Sequence, residues 1–186
     1  MDIFELIKNN NIEGIKQLIE NGANIEAKDI YGDTALILAS SNGYLEIVKY
    51  LVKKGANIEA KDIYNYTPLI YASYYGFLET VKYLVEKGAN IEAKGDNGNT
   101  ALICASLSGN LEVVKYLISK GANIEAKNNS GNTALICALS NNGNLEVVKY
   151  LISKGANINK RNKDGKTAYD YMKIPELKPN FVVIKD

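Results

Sequence analysis

The chain has 186 residues, 46% of them hydrophobic, and its 22 basic and 21 acidic residues leave a formal net charge of +1. A nucleic-acid binder would carry a basic surplus and draw on arginine for phosphate and guanine contacts, yet Arg161 is the only arginine. There is no histidine, which excludes Ser-His-Asp triads, Cys-His pairs and His-bearing metal sites. Met1-Asp2-Ile3-Phe4-Glu5 offers neither a basic n-region nor an apolar h-region, and no apolar run approaches membrane-spanning length. A cytoplasmic protein is expected, in the source cell or in the cytosol of a host. The sequons at Asn65 and Asn128 should then stay unmodified.

Residues 2–8 and 12–19 read as two short helices. From there one pattern governs the chain. Gly-Ala-Asn-Ile recurs at Gly22, Gly55, Gly88, Gly121 and Gly155, at intervals of 33, 33, 33 and 34 residues. Thr34, Thr67, Thr100, Thr133 and Thr167 keep the same phase. A fixed period of this size marks stacked supersecondary units whose core is a thin continuous strip. The one extra residue falls near Asn141 and Asn142, between two helices.

Within residues 29–61, Asp29-Ile30-Tyr31-Gly32-Asp33 predicts a turn, and Thr34 suits a helix N-cap. Pro68 follows Thr67 in the next unit, matching the preference for proline at the first helical position. Leu36, Ala39 and Ser40 give a short helix with a small-residue face, ended by Asn42-Gly43. Leu45, Val48 and Val52 mark a second helix, with Glu46 and Lys49 paired at i, i+3 on its outer side. Gly55 closes it, and residues 57–61 are expected to run extended into the next turn.

The string Asp29-x-x-Gly32-x-Thr34-Ala35-Leu36, then Ala39, Gly43-x-Leu45-Glu46-Ile47-Val48, Leu51 and Gly55-Ala56-Asn57 resembles the ankyrin repeat. Thr67-Pro68-Leu69 is closer still. The resemblance covers residues 1 to about 172 and implies an all-α ankyrin-repeat solenoid forming a single domain over 1–186. Full repeats would span 29–61, 62–94, 95–127 and 128–161. They would follow an N-terminal capping unit at 1–28 and precede a truncated repeat at 162–173 and a non-repeat tail at 174–186. Phe181-Val182-Val183-Ile184 of the tail is expected to fold back as an improvised cap. Ile37, Ile70, Ile103 and Ile136 stand where the family usually has a histidine that knits adjacent repeats. Apolar stacking is therefore expected to replace that polar network, leaving inter-repeat cohesion insensitive to pH between 5 and 8.

Cys104 and Cys137 occupy the same place in successive units, on neighbouring helices whose axes should lie about 8–10 Å apart, beyond the roughly 7 Å that a disulfide allows. They read as small core residues. Gly165-Lys166-Thr167 lacks the first glycine and the strand of a phosphate loop, and residues 160–171 lack the calcium-loop ligands. Glu26, Glu59, Glu92 and Glu125 beside Lys28, Lys61, Lys94 and Lys127 read as a solvated, self-paired edge. No cofactor and no metal is expected.

The resemblance implies a non-catalytic module that binds a protein on the concave surface formed by the finger turns and inner helices. Those positions differ between the units, whereas residues 110–124 recur unchanged at 144–158. The candidate contact residues are Tyr31, Asp33, Ile63, Tyr64, Tyr66, Tyr74, Tyr75, Asn97, Asn99 and Leu107. Tyrosine suits such a surface because it offers a large amphipathic contact at low entropy cost. Tyr50, Tyr83, Tyr116 and Tyr150, which repeat identically on the outer helix, are expected to cover the core. The partner expected is a protein, with neither nucleic acid nor membrane. A monomer is expected, the alternative being a self-associating structural protein that forms a homodimer through the aromatic concave face.

Overall fold

A computed structural model describes residues 2–140 and 144–172. The insertion near Asn141 and Asn142 and the tail at 174–186 lie outside the described residues. The helices are α1 (Ile3–Lys8), α2 (Ile12–Glu20), α3 (Ala35–Ser41), α4 (Leu45–Lys53), α5 (Pro68–Tyr75), α6 (Leu78–Glu86), α7 (Ala101–Leu107), α8 (Leu111–Ser119), α9 (Ala134–Ser140) and α10 (Leu145–Ser153). A 3₁₀ helix at Ala168–Tyr171 follows them. Among the described residues the only β-type pairing is an isolated bridge between Lys28 and Thr34. The architecture is an all-α repeat solenoid.

The repeated threonines start the inner helices. The hydroxyls of Thr34, Thr67, Thr100 and Thr133 accept from the backbone N–H of Ile37, Ile70, Ile103 and Ile136 at 3.3–3.4 Å, each filling one of the free donors of a first turn. The helices end where the backbone turns left-handed. Gly55, at φ +91, has nothing near its would-be Cβ, so its conformation alone explains the glycine.

Successive inner helices α3, α5, α7 and α9 pack side by side, more closely than the outer helices α4, α6, α8 and α10 do. The inner helices are buried almost all round: Leu36, Ile37, Ala39 and Ser40 are each no more than 1% exposed. On the outer helix the buried set is Ile47, Val48 and Leu51, with Leu45 and Val52 only partly covered. This shifts the seam from the expected Leu45, Val48 and Val52, because each outer helix packs against both its own inner helix and its neighbours. Tyr50, Tyr83, Tyr116 and Tyr150 pack against the core, each under a lysine ammonium 5.5–5.6 Å from the ring centre.

Two expectations about cohesion are corrected. Ile37, Ile70, Ile103 and Ile136 are buried as expected, but a polar inter-repeat network is present on other residues. Glu26, Glu59, Glu92 and Glu125 do not form a self-paired edge with the lysines beside them. Each carboxylate instead accepts the backbone N–H of Asn57, Asn90, Asn123 or Asn157 in the following unit at 2.7–2.8 Å. Lys28, Lys94 and Lys127 likewise donate to the carbonyls of Lys61, Lys127 and Arg161. A backbone N–H at a turn has no other partner, so a carboxylate there is more useful than one paired with a mobile lysine. The stretch after Gly55 is not extended throughout either: Ala60 N–H returns to the Asn57 carbonyl at 3.0 Å, closing a turn.

Candidate partner-binding face

Each finger turn but the third is built on one Asx side chain. Asp29 Oδ1 accepts from the N–H groups of Tyr31 and Asp33, and Asp62 Oδ1 from those of Tyr64 and Tyr66. Asn128 and Asn162 do the same for their own turns. The fingers are then joined through their backbones. Ile63, Asp96, Asn129 and Lys163 donate their N–H to the carbonyls of Tyr31, Tyr64, Asn97 and Ser130 at 2.9–3.1 Å.

The Asx residue also reaches sideways. Asn128 Nδ2 donates to Asn99 Oδ1 at 2.9 Å, and Asn162 Nδ2 to Asn132 Oδ1 at 2.8 Å. It reaches back to its own inner helix as well, where the Tyr71 hydroxyl donates to Asp62 Oδ2 at 2.6 Å and Asn162 Nδ2 donates to the Tyr171 hydroxyl at 3.0 Å.

The third finger breaks both rules. Gly95 stands at the Asx position, and Cys104 at the inner-helix position filled by Tyr71 in the unit before. The ring of Tyr66 takes the vacated space: a Cβ added at Gly95 would run into Tyr66 Cε1 and Cδ1. Asn97 Nδ2 donates to the Tyr66 hydroxyl, while Asn97 Oδ1 accepts the N–H of Asn99 at 3.0 Å, which supports a turn that lacks its usual side chain.

The result is a recess of about 260 Å³ lined by Tyr66, Ile70, Tyr71, Tyr74, Tyr75, Asn97, Asn99, Cys104 and Leu107. Its wall is a run of rings. Tyr71 meets Tyr66 edge-on with centroids 5.5 Å apart and stacks on Tyr75 at 6.5 Å. Tyr75 in turn meets Tyr74 edge-on at 5.1 Å and lies 6.3 Å from Phe77.

Of the ten expected contact residues, Tyr66, Tyr74, Tyr75, Asn97, Asn99 and Leu107 come together at this recess. Tyr31, Ile63 and Tyr64 stand on the first two finger tips, each more than half exposed. Tyr66 is partly buried and Asn99 is only 8% exposed, so both belong to the frame of the recess more than to a free surface. Tyr66, given above only as a contact residue, therefore also belongs to the packing between the second and third fingers. Ile70, Tyr71 and Cys104 line the recess without having been singled out for it, and Ile30 is the most exposed large apolar side chain on the fingers, at 86%. The signal for them lay in comparing the units position by position: Leu38, Tyr71, Cys104 and Cys137 share one place in the repeat but differ in size and polarity.

Asp33 has a different setting. It occupies the place of Asn99 and Asn132, but the residue opposite in the next finger is Asp62 rather than asparagine. Asp33 Oδ1 is buried with no hydrogen-bond partner. Burial first, then the charges of Asp29 and Asp62, raises the Asp33 carboxyl to about 6. A carboxyl raised that far carries the pH dependence of the joint between the first two fingers from about pH 4 up to about pH 6, so the expected insensitivity between pH 5 and 8 does not extend to this joint. The thiols of Cys104 and Cys137 are free and buried, and burial pushes them up to about 12 and about 11, which disfavours the nucleophilic thiolate. Burial and the Asp62 carboxylate also push the Tyr71 phenol up.

Among the described residues no group of three or more His, Cys, Asp or Glu side chains is placed to hold a metal ion. Among them, too, no helix is long and apolar enough to cross a membrane. A family model described as ankyrin repeats (3 copies) matches residues 3–95 and residues 91–162. Among curated proteins no sequence matches the chain.

Proposed function

The chain belongs to the ankyrin-repeat family, and from that premise we propose that it is a non-catalytic module that captures a protein partner on the concave face of its first three full units. One observation carries this reading. Among the described residues the exposed large apolar side chains are Ile30, Tyr31, Ile63, Tyr64, Tyr74, Tyr75 and Tyr169, and all but Tyr169 lie on the first two fingers and the end of α5. Exposed apolar residues scattered singly are ordinary, but six on two adjacent fingers and one helix end, two of them lining a recess, support an interaction surface. Tyr31, Ile63, Tyr64, Tyr74, Tyr75 and Leu107 are assigned to direct contact. Tyr66, Asn97, Asn99 and Asp33 hold the shape of the face.

The test uses the full chain as bait in source-cell lysate, with captured proteins identified by mass spectrometry. Tyr64→Ala combined with Tyr74→Ala should remove the partner, since each ring at a hot spot contributes on the order of 2 kcal/mol. The same variant should keep its melting point, because surface substitutions usually stay within about 0.5 kcal/mol. Undiminished capture by that variant would refute the assignment.

A further inference from the structure

One stretch of sequence occurs in two settings. Residues 110–124 and 144–158 are identical, but the first lies inside the array and the second at its end. Inside, α8 is followed by α10, which packs against it. Among the described residues no outer helix follows α10. The apolar side chains of α10 and its exit should therefore be more exposed than their internal counterparts. They are not. Ile118 and Ile152 are both partly covered, and Ala122 and Ala156 are 8% and 7% exposed. Ile158, at 7%, is more deeply buried than Ile124, which is only partly covered.

Met172 repeats this from the other side. It stands at the place of Ala39, Ala72, Ala105 and Ala138, on inner helices that each pack against their own outer helix. The 3₁₀ helix before Met172 has no outer helix to pair with among the described residues, yet Met172 is buried. The described chain between Ile158 and Met172 is engaged elsewhere. Asn162 and Lys163 of the fifth finger bond to Asn132 and Ser130 of the fourth, and the 3₁₀ helix packs on α9. Ile152, Gly155, Ala156 and Ile158 line a groove at this end of the array, where a fifth outer helix would stand.

We propose that residues 174–186 take this place, with Phe181-Val182-Val183-Ile184 laid over Ile152, Ala156 and Ile158. The segment does so in extended form, since Pro175 and Pro179 oppose a helix and hold the residues before them extended. Its reach is sufficient. Packed helices stand about 8–10 Å apart, and the stretch from Met172 to Phe181 spans up to about 30 Å. The cover is intramolecular, because Ile158 and Met172 are buried within a single copy of the chain. Glu176 and Lys178 precede the apolar run and Lys185 and Asp186 follow it, giving the array the polar end that a stack of repeats needs to stay soluble. The concave face stays open in this arrangement, so the partner reading neither supports it nor falls with it.

A photo-reactive benzophenone side chain tests the placement in the full chain, set at position 181 in one variant and at position 184 in another. After irradiation and trypsin digestion, mass spectrometry should find at least one of them joined to the peptide 155–160 of the same molecule. That peptide is distinct from its internal counterpart, because Asn159 stands where the other has Glu125. Phe181→Ser with Val183→Ser, again in the full chain, should lower the urea midpoint by about 0.5 M or more, since apolar cover is lost from one end of the array. If neither position links to 155–160, whether it joins residues 62–75, residues 95–107, a second copy or nothing, the proposal is overturned. A urea midpoint that the double variant leaves unchanged overturns it as well.

Discussion

In the row Asp33, Tyr66, Asn99 and Asn132, the two asparagines accept a hydrogen bond from the next finger, whereas Asp33 has the carboxylate of Asp62 across from it. Asp62 spends its oxygens on the N–H groups of Tyr64 and Tyr66 and on the Tyr71 hydroxyl. It has nothing to donate, so Asp33 Oδ1 stays unpaired. A carboxyl raised from 3.8 to about 6 binds its proton more tightly in the folded state. Stability contributed at this joint is therefore full at low pH, falls as pH rises from about 4 to about 6, and is level above that. Asp33→Asn removes the proton requirement and restores an amide of the kind Asn99 provides. Urea midpoints measured at pH 5 and pH 7.5 should differ for the native chain, with the lower pH more stable by about 1 kcal/mol once solvent screening of a half-exposed group is allowed for. In the Asp33→Asn variant that difference should be reduced, and stability at pH 7.5 should rise. An unchanged pH dependence in the variant would place the titration elsewhere.

The helices and their caps were readable because each rests on a local rule. Thr34 and its counterparts cap the inner helices, Gly55 and its counterparts end the outer ones, and the 33-residue period aligns all of them. What was not readable depends on contacts between units. The carboxylate of Glu26 lies beside Lys28 in sequence, yet it bonds to Asn57 in the next unit, and no local pattern distinguishes the two. Gly95 is similar. Its position in the repeat places it in a turn, but its reason is the Tyr66 ring from the preceding finger. Tyr66 and Gly95 should behave as one coupled element, and a double-mutant cycle can measure this. Gly95→Asn alone should destabilise by about 1–3 kcal/mol, because the new side chain meets a ring that cannot withdraw. Tyr66→Asn alone should cost a comparable amount through the opened cavity. Together they rebuild the pairing of Asn99 with Asn128, so the double variant should be more stable than the sum of the two predicts by at least about 1 kcal/mol. Additive effects in denaturant midpoints would show that ring and glycine are independent.

Taken as a whole molecule, the array is directional. Glu26, Glu59, Glu92 and Glu125 each hold the unit that follows, and the row ends in Asn159. After it, Arg161 turns back to the carbonyl of Gly165, and Thr167 is locked by Asp170 in a capping box. On the function proposed above, a nearly uniform scaffold leaves partner choice to the few positions that depart from the repeat on its first three full units. The central claim is that the partner sits there. Hydrogen–deuterium exchange followed by mass spectrometry, on the full chain with and without its captured partner, tests it most directly. Protection should appear in the peptides covering residues 29–41, 62–75 and 95–107, with the outer helices α4, α6, α8 and α10 unchanged. Protection concentrated on those outer helices, with the first three fingers exchanging as in the free chain, would contradict it.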